Sequence, residues 1–416
     1  MKRTISDIEI YLYLSYLPKL SEVNLDWLNN DCPSRSSKSI ESRSWWIKEG
    51  VKTLKQTMAD EVASADPKAD HILLLSGGLD SRAILGGLLE NLPTSKIIAA
   101  TYGIPGAWDY EYAKLLAQKF GLRHEFFNLL NEKWDVDSLA KAATRLHTPI
   151  SVHQSYIRQK INNYFGQDCI YWSGFLGDAL GGYHLPRIPN KDKRVAVKRQ
   201  IETEPTLHYQ DKDFEDSLVE KILNEFPWER TQQENLSIDQ ILNFGLRQRY
   251  LLQPIVVVNG FNFKTPFLNR IWSNFMLNAP YALLLEQYLY KSILRESYKS
   301  LANFPSESGA GMRFYASKPE MILGKIISKI KPYIVRKDPY LSHPRTNYIN
   351  WAESLRHKGS FQDTIFATLQ DLKKRAIFDN KDLDAWWQDH LTRKMDYTTL
   401  LMNLSSLELL LKAGVM

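Results

Sequence analysis

Cysteine is scarce: Cys32 and Cys169 stand far apart, outside any C-x-x-C pair or histidine cluster. That argues against a disulfide framework, a zinc site and an iron–sulfur site, and fits a reducing cytoplasm. Long hydrophobic runs are missing too. No stretch approaches the ~20 apolar residues of a transmembrane helix, and Asp7 and Glu9 interrupt what would be the core of a signal peptide. Charge of one sign is no stronger a feature: 53 lysines and arginines face 47 acidic residues, a formal net charge of +6. So small and dispersed an excess does not argue nucleic-acid binding and only mildly favours anionic ligands. Internal repeats and low-complexity tracts are also lacking.

What is present is core material, 44% hydrophobic and 12% aromatic residues, enough for one large or two smaller globular domains. The stretch "HILLLSGGLDSRAILGGLL", His71–Leu89, runs an apolar strand into Ser76-Gly77-Gly78-Leu79-Asp80-Ser81 and at once into a helical pattern. Backbone N–H groups of a glycine turn at a helix start cradle phosphate oxyanions, and the Ser76 and Ser81 hydroxyls add donors. A carboxylate beside a phosphate is repulsive unless a divalent cation lies between them, so Asp80 reads as a Mg²⁺ ligand. Helical spacing at Leu54, Met58 and Val62 precedes the motif. After it come "KIIAATY" (96–102), a helix over 108–121, "HEFFNL" (124–129), a helical stretch over 135–166 and "DCIYWSG" (168–174). This alternation predicts a parallel α/β sheet with ligands at the carboxyl ends of its strands.

Beyond Tyr183 the pattern turns mostly helical, from the basic "RIPNKDKRVAVKRQ" to the Leu-rich "TTLLMNLSSLELLLKAGVM". Asn403, Ser405, Ser406 and Glu408 make the latter read as an amphipathic docking helix. Near the start, "NNDCPSRSSKSIESRS" reads as an exposed connection.

Three further stretches join "SGGLDS": "SGFLGDALGGY" (Ser173–Tyr183), "FKTPFLNR" (Phe263–Arg270) and "YLYKSILRES" (Tyr288–Ser297), with "LSSLELLL" near the end. In this order they resemble the pyrophosphate loop, second metal loop, Val-Pro-Phe-Leu-Asp motif, Leu-Leu-Arg-Glu helix and closing helix of class B asparagine synthetases. That synthetase-domain family belongs to the ATP pyrophosphatases, and its relatives include β-lactam synthetases and lasso peptide cyclases. The resemblance implies an α/β fold, a parallel sheet of the ATP pyrophosphatase type with a largely helical C-terminal half. It divides the chain into an N-terminal extension (1–50, a linker remnant), an α/β core (51–185) and a helical part completing the active site (186–416). ATP and Mg²⁺ are the implied cofactors, with Asp80 and Asp178 as catalytic metal ligands and Arg295 and Lys318 as catalytic cations. Nucleotide binding would fall to Leu75, Ser76, Gly77, Gly78, Asp80, Ser81, Thr101, Tyr102, Gly103, Ser173 and Gly174. The implied reaction places AMP on a carboxylate, releases pyrophosphate into the Ser76–Ser81 loop, and lets an amine or ammonia displace AMP to form an amide; cations must neutralise that transition state.

The chain departs from the family at several points. Phe175 stands three residues before Asp178, where asparagine synthetases carry an acid and β-lactam synthetases a tyrosine, and phenylalanine takes no proton. Ala179 replaces the following glutamate, the stretch to the next glycine pair is one residue shorter, and Asn269 replaces the aspartate of Pro-Phe-Leu-Asp. For the family's essential lysine, "FPSESGAGMRFYASK" offers Arg313 and Lys318. Lys2 follows Met1 where a glutaminase would have its cysteine, and the residues before Ser76 are too few for that domain. The expected nucleophile is therefore free ammonia, ammonia or an amine from a donor protein, or an amine on the substrate. The expected carboxylate is a small molecule, peptide or glycan, and no nucleic-acid partner is expected.

Other readings stand beside these. Asp178 also suits a helix N-cap, and Asp109 and Glu111 read as dipole partners at a helix start. His147, His153 and His184 read as core or surface histidines. The run Lys191, Lys193, Arg194, Lys198, Arg199 reads as a solvated loop that would, as a minor reading, grip an anionic substrate. "GKIISKIKPYIVRK" (Gly324–Lys337) reads as a basic surface helix ended by Pro332, contact with a membrane-borne substrate being the minor reading. A catalytically reduced paralogue acting as a nucleotide-binding scaffold is the alternative function. A tRNA-modifying relative would need persulfide chemistry or an RNA-binding appendage, and neither is visible.

Overall fold

The computed structural model describes residues 5–28, 41–202, 212–233, 235–306, 311–334, 340 and 348–416. Cys32 and most of the connection expected over 29–44 lie outside the described residues. One all-parallel sheet, in the order β3-β2-β1-β4-β5, is built from β1 (His71–Leu74), β2 (Ile97–Gly103), β3 (Arg123–Asn128), β4 (Ile170–Trp172) and β5 (Asn262–Lys264). Ile72 pairs with Ile98 on one side and Tyr171 on the other. Ile72, Leu73, Ile98, Ala99, Ala100, Ile170, Tyr171 and Trp172 are all buried, as strands covered on both faces must be. β5 comes from the helical half and pairs with β4, Ile170 opposite Asn262. Its three residues are too few to show a strand period, and the sequence reading did not find it.

Helices α1 (Asp7–Leu14) and α2 (Arg43–Ala63) precede the sheet. Then α3 (Leu79–Asn91) follows β1, α4 (Trp108–Phe120) follows β2, α5 (Val136–Ala143) and α6 (Val152–Phe165) link β3 to β4, and α7 (Gly177–Gly181) follows β4. The helical stretch expected over 135–166 is thus two helices, with Pro149 in the break; a residue before proline is pushed out of helical dihedrals. α1 begins with a capping box between Ser6 and Glu9 and buries Ile10 through Leu14. It belongs to the core: Tyr11 donates to the Ile150 carbonyl at 3.4 Å, and Asn403 of the last helix donates to Ser15 at 2.9 Å.

That last helix, Thr398–Ala413, corrects the amphipathic expectation, because every residue from Leu400 to Leu410 is buried. Its polar groups stay inside because each has a partner. Ser405 meets Thr368 at 2.6 Å, Ser406 meets His153 at 3.1 Å, and Glu408 accepts from Arg375 at 2.5 Å. Among the described residues no helix is long and apolar enough to cross a membrane.

Candidate active site

β1 lies at the switch point of the sheet: its successor β2 turns to one side, while β4 lies on the other. Such crevices at carboxyl strand ends are where open α/β sheets bind ligands. The loop leaving β1 folds on its own hydroxyls. Ser76 and Ser81 Oγ atoms lie 3.1 Å apart, the Ser76 N–H donates to Ser81 Oγ at 3.2 Å, and the Gly78 N–H donates to Ser76 Oγ at 3.1 Å. The Gly77 N–H donates to Asp109 Oδ1 at 2.8 Å. Those three loop amides and two hydroxyls therefore serve first to fix the turn, a role the phosphate-cradle expectation did not foresee. Asp109, expected as a helix-dipole partner, braces the loop from the start of α4. A Cβ on Gly77 would come within 2.7 Å of the Tyr112 ring, so glycine is demanded there by α4.

The loop leaving β4 is shaped around Asp80. A Cβ on Gly174 would lie 2.7 Å from the Asp80 Cβ, and one on Gly177 would lie 2.4 Å from Asp80 Oδ1. Between those glycines Leu176 adopts φ 72° and ψ −8°, left-handed dihedrals that cost a non-glycine residue ~1–2 kcal/mol and that turn Asp178 into the crevice at the head of α7. The Asp178 N–H donates to Asp80 Oδ2 at 3.2 Å, and Tyr290 OH donates to Asp80 Oδ1 at 2.8 Å. Two carboxylates from adjacent strands thus share one enclosed space. Burial, and then the Asp178 charge, hold the Asp80 carboxyl well above the usual carboxylate range. Burial raises Asp178 as well, opposed by the Arg247 guanidinium.

Asp80 and Asp178 open onto a cavity of about 410 Å³, within the range of small-molecule and cofactor sites. On the sheet side Leu75, Ser76, Ser81, Thr101, Tyr102, Ser173 and Gly174 line it. Gly103 does not; its φ of 146° lets the Tyr348 backbone approach, and Ile104 N–H donates to the Tyr348 carbonyl at 3.0 Å. Tyr348 stacks on Tyr102 at 5.0 Å, and Arg158 sits 5.6 Å from the Tyr102 ring centre. The helical half closes the cavity with Gln248 and Leu252 of the π-helix Asn243–Leu252 and with Ile255 and Val256. π-helical turns are rare and gather at functional sites. Phe175 also lines the cavity, its ring stacked on Trp27 at 5.9 Å, so the wall is apolar where relatives place a proton acceptor.

Arg295 and Lys318 are not among the cavity's lining residues. Arg295 is exposed, bonded to Glu296 at 3.2 Å and 5.6 Å from the Tyr315 ring centre; Lys318 is exposed at the start of the helix Lys318–Ile334. Arg313 pairs with Glu320 at 2.8 Å. The cations facing the site are instead Arg158, in the lining, and Arg247, beside Asp178. Neither was singled out from the sequence, although Gln154, Ile157 and Arg158 form an i, i+3, i+4 stripe on α6 that lines the cavity. Arg82 was missed as well. It is 2% exposed and donates to the Gly77 carbonyl at 3.1 Å and the Phe304 carbonyl at 3.0 Å, tying the β1 loop to the helical half. Asn269 caps the helix Arg270–Leu277 and bonds Glu61 at 2.8 Å, a structural post.

A parallel sheet with two glycine-bearing loops meeting at its switch point, backed by a helical half, defines an α/β enzyme of the ATP pyrophosphatase type. The sequence model of the family described as asparagine synthase matches residues 53–308, more than half of the chain, and the protein belongs to that family as a synthetase-domain member. It is accordingly an ATP-dependent carbon–nitrogen ligase of the amide-forming kind, with ATP as a substrate. A search of curated proteins returned no match.

Proposed function

We propose that the chain adenylates a substrate carboxylate and transfers the acyl group to an amine or ammonia, releasing pyrophosphate and AMP. The observation that carries this reading is the meeting of Asp80 and Asp178 beside the Ser76–Ser81 loop, at the wall of a cavity of about 410 Å³. Hard oxygen donors of like charge suit Mg²⁺, which takes one or two carboxylates and completes its shell with water and phosphate oxygens. Among the described residues no cluster of three or more His, Cys, Asp or Glu could hold a metal, so a cation here would lean on the substrate phosphates. Bound there, Mg²⁺ would neutralise charge on the triphosphate.

Leu75, Thr101, Tyr102, Ser173 and Gly174 would hold the nucleoside, and Arg158 would face incoming negative charge. The carboxylate oxygen bonds to the α-phosphorus as the bond to the β-phosphate oxygen breaks; the amine nitrogen then bonds to the acyl carbon and AMP leaves. Phe175 accepts no proton, so the amine's proton goes to water, to another side chain or to the substrate. This favours a natural-product, peptide or glycan intermediate as carboxylate, with the amine supplied by the substrate or a donor.

The test supplies the purified chain with Mg²⁺, ATP, a panel of uronates and peptides, and amines or ammonium. Pyrophosphate and AMP are expected, with a rate rising with pH towards the amine's own pKa. ADP as product would overturn the adenylation step, and glutamate release from glutamine would overturn the external nucleophile. ATP binding without pyrophosphate release for any pair would favour the scaffold reading.

A further inference from the structure

The helix Lys318–Ile334 takes no part in the site just described, yet it is the most apolar exposed surface among the described residues. Ile322, Leu323, Ile326 and Ile327 are 58%, 52%, 48% and 48% exposed. No other six consecutive described residues show more than two exposed large hydrophobic side chains. Their spacing of i, i+1, i+4 and i+5 puts them on one outward face, while Gly324 is buried on the opposite side. Lys318 and Lys325, seven residues apart and both exposed, stand along one edge of that face. The sequence onward, Lys329, Lys331, Arg336 and Lys337, stays basic. From Lys318 to Lys337 the only acid is Glu320, and Arg313 pairs with it at 2.8 Å.

We propose that this helix lies on an anionic membrane surface, Ile322, Leu323, Ile326 and Ile327 entering the boundary between headgroups and acyl chains and Lys318 and Lys325 lying towards acidic lipid headgroups. Two features choose lipid over protein. The exposed face is wholly aliphatic, without the tryptophan, tyrosine or arginine anchors that dominate protein interfaces. It also combines an apolar stripe with lysines along its edge, the pattern of helices that lie in the membrane interface, where each lysine near an acidic surface adds favourable energy. No described helix is able to span a bilayer, so the contact is peripheral.

Sedimentation of the full chain, without ATP, with vesicles of phosphatidylcholine alone and of phosphatidylcholine mixed with phosphatidylglycerol tests this. Binding is expected to the mixed vesicles and not to the neutral ones, weakening as salt is raised. The double variant Ile322→Glu, Ile326→Glu is expected to lower binding at least about tenfold, and Lys325→Glu to lower it severalfold, with ATP-dependent pyrophosphate release unchanged in both. Equal binding to both vesicle types, or equal binding by wild type and double variant, would overturn the proposal. So would no binding to mixed vesicles, and a concentration-dependent rise in sedimenting mass that the double variant abolishes would then assign the face to a second copy of the chain. Because ATP is absent, this outcome is independent of the ligase reading.

Discussion

Carboxylates are enclosed in two regions of this molecule, and in opposite ways. In the C-terminal helices each is answered by a cation: Glu353 accepts from Arg393 at 2.6 and 2.7 Å and from Arg356 at 2.8 Å, and Glu408 accepts from Arg375 at 2.5 Å. Hydrogen bonds from Arg393 hold Glu353 below the usual carboxylate range. At the switch point, Asp80 faces Asp178 and a tyrosine hydroxyl, and both carboxyls are raised. The first arrangement is self-sufficient and stabilises the fold. The second is answered only in part, by the Arg247 guanidinium beside Asp178, and enclosed like charges short of full compensation mark a functional site.

The contrast is broken or sharpened most strongly by Asp80→Asn. Turnover measured as pyrophosphate release should fall about a thousandfold, ~4 kcal/mol of transition-state stabilisation, while the thermal midpoint holds or rises because a repulsion is removed. A fall in the midpoint with turnover kept would put Asp80 among the structural carboxylates. Arg375→Ala should do the reverse, costing about 2 kcal/mol of stability by leaving the buried Glu408 carboxylate with only Lys412, at 3.6 Å, to answer it, read by urea denaturation, with activity per folded molecule unchanged.

A smaller effect separates the regions by pH. His153 is fully buried between Ser405 and Ser406, and burial pulls its pKa from 6.5 to about 3. The unfolded chain takes up this proton below about pH 6.5 and the folded chain does not, so the stabilisation is complete above that pH and is lost as pH falls towards about 3. Between pH 7 and 5 the loss should approach roughly 2 kcal/mol, and His153→Gln should flatten that part of the stability profile. Arg158→Ala should lower kcat/KM about tenfold, ~1.4 kcal/mol, if its charge meets the substrate or nucleotide. The smallest expected effect is at Arg295→Ala and Lys318→Ala, each within about threefold of wild type because neither lines the cavity. Loss of turnover in the Lys318 variant would mean that the start of its helix closes on the site during catalysis, and the regional contrast would then hold only for the open state.

The strand-loop-helix unit at Ser76–Ser81 was legible because its signals are local: an apolar run, two glycines and a helical period within twenty residues. Asp178 was legible for the same reason. Asp109 stands in the first turn of α4 as expected of a dipole partner, but its second role was not legible, because only the packing of α4 on the loop brings its carboxylate to the Gly77 N–H. Arg158 and Arg247 carry no local signature, since a single arginine in a helix is usually solvated. The last helix was misread because leucines broken by serine, asparagine and glutamate look half-exposed until their partners on other helices are known.

By itself the sequence determined the alternation of strands and helices from α2 to Trp172, apart from the break at Pro149, together with the two glycine loops and the family, since these rest on period, turn chemistry and motif order along the chain. Which charges would meet was decided only by tertiary structure. Asp80 lies 98 residues before Asp178, and their approach depends on β1 and β4 being neighbours, on Gly174 and Gly177 leaving room for one side chain, and on Leu176 holding a left-handed turn. None of these is a property of a local window, because each is enforced by atoms that sequence distance places far away.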